Sequence, residues 1–177
     1  LKTTYDNTGE ITIVVTKLYN NDKINAIENK VNEIMNSTIK DNMTLEEKVN
    51  KIHNYIIDHT SYDIVKNETG ISKYDANTAY GTLIEGHSVC GGYSDAMAIF
   101  LNKLNVKNFK IASSDHVWNA AFINNKWLHL DLTWDDPVSP SGEEYLLQKY
   151  FLIDNDTLKE LDNESHNYNL LIYQEFK

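Results

Sequence analysis

Arginine is absent from the 177 residues, and all sixteen basic side chains are lysines. Proline occurs twice and cysteine once. No Pro- or Gly-rich stretch divides the chain, and its length suits one domain whose core needs no staple. The single cysteine, Cys90, has no partner for an internal disulfide. Its thiol is a packing residue, a reactive group or half of an intermolecular bridge. No apolar run approaches the ~20 residues that cross a bilayer, so no membrane span is expected. The formal net charge of −10 repels phosphate backbones. Nucleic acid is therefore excluded as an expected partner, and proteins and peptides remain. Leu1 in place of Met points to a processed or partial chain, and with it to an extracellular or cell-surface setting.

What the chain does contain is enough to fold: 41% of residues are hydrophobic and 11% aromatic. Glu10 to Tyr19 is β-branched and reads as a strand. From Asn21, Ile24, Ile27, Val31 and Ile34 recur at helical spacing as far as Ile39. Thr44 with Glu47 is a capping-box signature, and it opens a second helix whose stripe is Val49, Ile52, Ile56 and Ile57. Tyr62 to Ala76 is polar and irregular. A third helix starts near Cys90, with Ser88 or Val89 in the cap region and Tyr93, Met97, Phe100, Leu101 and Leu104 on one face. Strands are expected over Phe109–Ala112, His116–Ile123, Lys126–Leu132 and Tyr150–Ile153, then a short helix begun by Asp154 or Asp156. Helices followed by an antiparallel run of strands make the fold class α+β. Residues 1–42 read as an N-terminal strand and helix that extend the same domain, and 43–177 as its main body.

Two segments carry chemistry. Cys90 stands where a helix begins, and the positive end of the helix dipole favours a thiolate there. Gly91 and Gly92 follow it; they are poor helix formers, and their bare backbone would let a substrate chain approach. The competing reading is a cysteine that fills a gap in the core. The second segment is His116 to Thr133. Asn124-Asn125 suits a two-residue hairpin turn, because asparagine tolerates positive φ. With the turn centred there, Ala120 opposes His129 and Trp118 opposes Asp131. His116 and Asp131 then share one face as diagonal neighbours, roughly 7–8 Å apart at the backbone. A shift of one residue would separate them. His129 is the competing base, and a hydrogen bond that merely ties the sheet together is the competing role.

Thiol acyl chemistry needs this set. A thiolate attacks an amide carbonyl, an imidazole accepts and returns the proton, and a carboxylate fixes the imidazole's tautomer. The oxyanion requires donors, for which the Cys90 N–H and the Tyr80 hydroxyl are the candidates. Trp118, on the same face as the pair, is the candidate cleft wall. His129, Asp131, Asp135 and Asp136 supply no conventional metal spacing, so neither metal nor cofactor is expected. His53 and His59 read as a solvated face and a loop residue.

The run Ala79-Tyr80-Gly81-Thr82-Leu83, Gly86 and Val89-Cys90-Gly91-Gly92-Tyr93 resembles the nucleophile region of bacterial transglutaminase-like proteins. His116-Val117-Trp118-Asn119 and Lys126 to Pro137 (KWLHLDLTWDDP) resemble their His and Asp region. Ile52-His53-Asn54-Tyr55, Tyr62-Asp63, Tyr150-Phe151-Leu152 and His166 extend the likeness over roughly Leu45 to His166. The resemblance implies a papain-like core, a Cys-bearing helix packed on an antiparallel sheet that carries His and Asp. It implies Cys90, His116 and Asp131 as a catalytic triad for transamidation, proteolysis or deglycosylation. Val117 departs from the usual Ala and Tyr168 from the usual Trp, and the second leaves His166 without an assigned role. The leading functional expectation is acyl transfer or hydrolysis on amide bonds of a protein or peptide through a Cys90 thioester. The alternative is a non-catalytic protein-binding module of a surface or division-associated protein.

Overall fold

The computed structural model describes residues 2–15, 17–136, 146–162 and 164–176. Leu1 and Pro137, both invoked above, lie outside them. The N-terminus forms a hairpin of β1 (Lys2–Tyr5) and β2 (Ile11–Val14) where one strand over Glu10–Tyr19 is expected. The turn is built by Asp6, whose carboxylate accepts from the N–H groups of Thr8 and Glu10, and by Gly9 at φ 85°. Lys2–Tyr5 is too short and polar for periodicity to reveal. Tyr19 leaves the strand altogether, and its hydroxyl accepts from Ala79 N at 3.0 Å.

Helix α1 (Asn21–Thr38) starts where Asn20 accepts from Lys23 N, and it buries Ile27, Val31 and Ile34. Helix α2 (Leu45–Asp58) carries the complete capping box of Thr44 and Glu47 and buries the expected stripe. Both stripes enter one core with Met97, Phe100 and Leu101 of α4 (Cys90–Lys103). Burial of each such side chain contributes roughly 1.5–3 kcal/mol. Short β3 (Ser61–Tyr62) pairs in parallel with β4 (His87–Ser88) and so brings Tyr62 beside the approach to Cys90. The stretch read as irregular holds a short helix, α3 (Ile64–Thr69), begun by the Asp63 carboxylate and ended by Gly70 at φ 74°. A single π-helical turn, Gly81–Glu85, precedes β4.

Strands β5 (Asn108–Ala112), β6 (Val117–Ile123), β7 (Lys126–Leu130) and β8 (Phe151–Ile153) form an antiparallel sheet in that order. Ala121, Ile123 and Leu130 face the helical core. Ile111, Trp118 and Ala120 face a second cluster with Tyr150 and Leu158, closed by aromatic residues of the C-terminal segment. This is the expected α+β architecture, with the cysteine-bearing helix laid on the sheet. Asn119 Nδ2 donates to Ser94 O at 3.0 Å and fixes α4 along β6. The strand expected over Lys126–Leu132 is also corrected. The chain leaves the ladder after Leu130 and turns into α5 (Leu132–Asp135), because the Asp131 carboxylate caps that helix. Asp154 caps α6 (Asn155–Leu161) as its sequence suggests.

Candidate active site

Asn124 and Asn125 adopt φ 52° and 62°, the two positive values that a tight hairpin turn needs. The ladder then runs Ile123 with Lys126, Phe122 with Trp127 and Ala120 with His129, the register read from the sequence. His116 sits just before β6 and Asp131 just after β7. His116 Nε2 donates to Asp131 Oδ2 at 2.5 Å. The other carboxylate oxygen, Oδ1, accepts from Thr133 N at 2.9 Å and Trp134 N at 3.3 Å. Capping α5 thus locks the rotamer that meets His116, a rigidity that a residue in mid-strand would lack.

Helix α4 begins at Cys90 itself, with Val89 at the cap position and no side chain capping it. The Asn119–Ser94 bond sets the start of this helix against the start of β6, and the Cys90 thiol lies close enough to the His116 ring to help raise its pKa. With Nε2 engaged by Asp131, Nδ1 is the nitrogen left for the thiol. Cys90 is partly exposed, whereas the His116 and Asp131 side chains are 8% and 2% exposed. Burial pushes the His116 pKa down, but its hydrogen bonds to Asp131 and Cys90 outweigh this and raise it to about 10. Burial pushes the Asp131 pKa up, and hydrogen bonds from His116 and His166 overturn that, leaving it at about 2. The arrangement holds an imidazolium between a sulfur and a carboxylate.

The family model for the transglutaminase-like superfamily matches residues 32–132, a span that includes Cys90, His116 and Asp131. The chain belongs to that superfamily. Membership places it in a family of thiol-dependent enzymes. A crystal structure of a TGase shares the fold at a TM-score of 0.56 and 16% identity, covering 66% of this chain and 34% of its own. A proposed cysteine protease from Cytophaga hutchinsonii aligns at 0.44 and 16% identity, over 73% of this chain and 47% of its own, too distantly to bear on the argument. The chain therefore spans about a third of the length of the first and about half of the second. No curated protein matches the sequence.

Within this transglutaminase-like domain several expected roles change. Trp118 stacks on His116 with centroids 5.6 Å apart, but it is only 1% exposed and its Nε1 donates to His129 Nδ1 at 3.1 Å. It backs the imidazole from beneath and lines no open cleft. The glycines answer to packing. A Cβ on Gly92 would lie 2.4 Å from Ala76 O and from Ser88 Oγ, and one on Gly91 would lie 3.1 Å from Asn77 Oδ1. The space that a substrate was expected to use is filled by the turn at residues 76–77. Tyr80 faces α1, with Lys23 Nζ 4.6 Å from its ring centroid, and none of its described contacts reaches Cys90. Tyr62 is the tyrosine near the sulfur. Burial, then the charges of Cys90 and Asp131, raise its phenol pKa.

His129 is set aside as the base. Burial and then the nearby His166 charge lower its pKa to about 3, and its ring stacks on Phe176 at 4.1 Å. Asp135 and Asp136 diverge from it, Asp135 to His53 and Asp136 to the Tyr93 hydroxyl. His53 itself is fully buried, contrary to its reading as a solvated residue, because Asp135 Oδ2 lies 3.1 Å from its Nε2. His166 is the residue that sequence reasoning left unassigned: its Nε2 donates to Asp131 Oδ2 at 2.9 Å. The available signal was the aspartate four residues earlier, Asp162, whose carboxylate meets both the backbone N–H and the ring of His166. Among the described residues, His116, Asp131 and His166 hold ligand atoms within 4.8 Å of one another. The two hydrogen bonds to Asp131 account for that closeness.

Proposed function

We propose that this domain performs thiol acyl chemistry on amide bonds of protein or peptide substrates. The observation that carries the reading is a helix-start thiol close to an imidazole that the capping carboxylate of Asp131 holds at 2.5 Å. The Cys90 sulfur attacks the amide carbon, and the electron pair of the C=O bond moves onto oxygen. Collapse of that adduct forms the thioester and breaks the C–N bond, with the proton on His116 passing to the departing amine. Water or a second amine then attacks the thioester, gives its proton to His116 and releases the sulfur. Asp131 stays ionised throughout and keeps the ring aligned.

The oxyanion meets the N–H of Cys90, one of the donors that a helix start leaves without an intrahelical partner. The hydroxyl of Tyr62, whose backbone pairs with that of Ser88 in the β3–β4 bridge, takes the second place in preference to Tyr80. Each such donor is worth ~3–4 kcal/mol in comparable sites. Tyr62→Phe is then expected to slow thioester formation about 10²-fold while leaving alkylation of the sulfur unchanged.

The direct test is alkylation of Cys90 by iodoacetamide at neutral pH, followed by intact mass. The wild type is expected to react far faster than His116→Ala. Equal rates would remove the ion pair and the proposal with it. Incorporation of a dansylated amine into a glutamine-bearing peptide, set against release of ammonia alone, then separates transfer from hydrolysis.

A further inference from the structure

Behind the triad lies a second layer. Asp131 Oδ2 accepts from two imidazoles, His116 at 2.5 Å and His166 at 2.9 Å. The far nitrogen of His166, Nδ1, meets Asp162 Oδ2 at 2.7 Å, and the same carboxylate oxygen accepts from His166 N at 3.1 Å. The His166 side chain is 0% exposed, stacked on Tyr150 at 5.2 Å and enclosed edge-on by Trp118 and Trp134. An ionised carboxylate has no hydrogen to give, so a ring between two of them bonds to both only with a proton on each nitrogen. Such a ring is a cation. Its centroid lies 5.3 Å from that of His116.

We propose that His166, held as an imidazolium between Asp131 and Asp162, is a positioning residue that sets the acidity of His116 and keeps Asp131 aimed at it. The proposal rests on the thiol acyl reading for its catalytic consequence, though not for the protonation state itself. A lone carboxylate would bind the His116 proton tightly and make it a poor acid toward the departing amine. Sharing that carboxylate with a second cation weakens the hold, and like charge at this distance weakens it further. The result is a proton stable enough to maintain the ion pair and labile enough to be transferred. Both roles fall to a residue that never touches the substrate.

The titratable groups around His166 are few. Asp131 and His116 face it from the hairpin, Asp162 from the end of α6 and Tyr150 from the approach to β8. His129 lies across Trp118 and Lys159 beside the shallow pocket at Asp162. Among the described residues, the other imidazoles beside the sheet here are His116 and His129, and burial first of all lowers the His129 pKa to about 3, which leaves it neutral. The cation behind Asp131 is therefore His166.

The test is a pH titration of the histidine rings in the intact chain by long-range proton–nitrogen NMR. Wild-type His166 is expected to show two bonded ring N–H signals at neutral pH. His166→Gln keeps a donor toward Asp131 without the charge, and Asp162→Asn keeps an acceptor oxygen but removes the negative charge that holds the second proton. Both are expected to move the His116 titration upward, by about one pH unit for the first and less for the second. The pair combined is expected to give no more than His166→Gln alone. His116 titrating unchanged in both, with only a lower Tm, would reduce His166 to packing and overturn the proposal. The NMR shift is independent of turnover: if Cys90 proves unreactive while His116 still moves, the acyl reading fails and the charge assignment stands.

Discussion

Two buried histidine–aspartate pairs lie at opposite ends of one four-residue helix. Asp131 caps the start of α5 and holds His116, while Asp135 at its end holds His53. Tyr150 bridges them: its N–H donates to Asp135 Oδ1 and its carbonyl accepts from Asp131 N. The pairs differ in what reaches the outer side of the imidazole. His53 is 0% exposed, and its other nitrogen meets the neighbouring Asn54 side chain. His116 is 8% exposed, and the group near it on the outer side is a partly exposed thiol. A His–Asp pair is thus no signature of chemistry on its own. The pair at His53 ties α2 to α5, and the same pairing becomes a candidate catalytic element only where a nucleophile borders it.

The comparison breaks most sharply at the sulfur. Cys90→Ala is expected to lower acyl turnover by about 10³-fold or more, with the urea midpoint close to wild type, since no core cluster includes that thiol. Retained turnover would show that the chemistry lies elsewhere. The second effect belongs to the other pair. His53→Ala leaves the Asp135 carboxylate buried without its partner and is expected to cost about 3–5 kcal/mol in urea unfolding. Alkylation of Cys90 in the remaining native protein is expected to stay within about twofold. A matching collapse of reactivity would mean that α5 couples the two pairs and that the distinction drawn here is false.

The pH dependence sharpens the comparison further. The folded pKa of His116 is raised to about 10, so its stabilisation is complete below the ordinary histidine value and disappears as pH rises through about 10. Asp131 is lowered to about 2, so its contribution is complete above the ordinary carboxylate value and is lost as pH falls through about 2. Wild type and His116→Ala are therefore expected to differ most in Tm near pH 5–6 and to converge above pH 10. The smallest effect is at the tryptophan beneath the ring. Trp118→Phe keeps the stacking but removes the Nε1 bond to His129, and its expected cost is about 1 kcal/mol. Its alkylation rate should change little, where a cleft-lining role would predict a large change in apparent affinity for peptide substrates.

Much of the site was legible because it was written in local terms. The asparagine turn sets the register, and with it the meeting of His116 and Asp131 across fifteen residues. The caps at Thr44 and Asp154 were equally readable, since a side chain satisfies a backbone donor three residues away. The misreadings concern partners remote in sequence. His53 looked solvated because nothing nearby marks it as the mate of Asp135, eighty-two residues on. Gly91 and Gly92 suggested room for substrate, and only the packed chain shows that residues 76–77 already occupy it.

By itself the sequence determined the α+β class, the hairpin register and the meeting of His116 with Asp131, because caps, alternation and turn residues act over a few positions. Only the tertiary structure decided that Asp131 would serve a second imidazole, that His53 would be sealed and that Tyr62 rather than Tyr80 would lie near the sulfur. Those outcomes depend on which surfaces are buried against each other, and no short window of residues encodes that geometry.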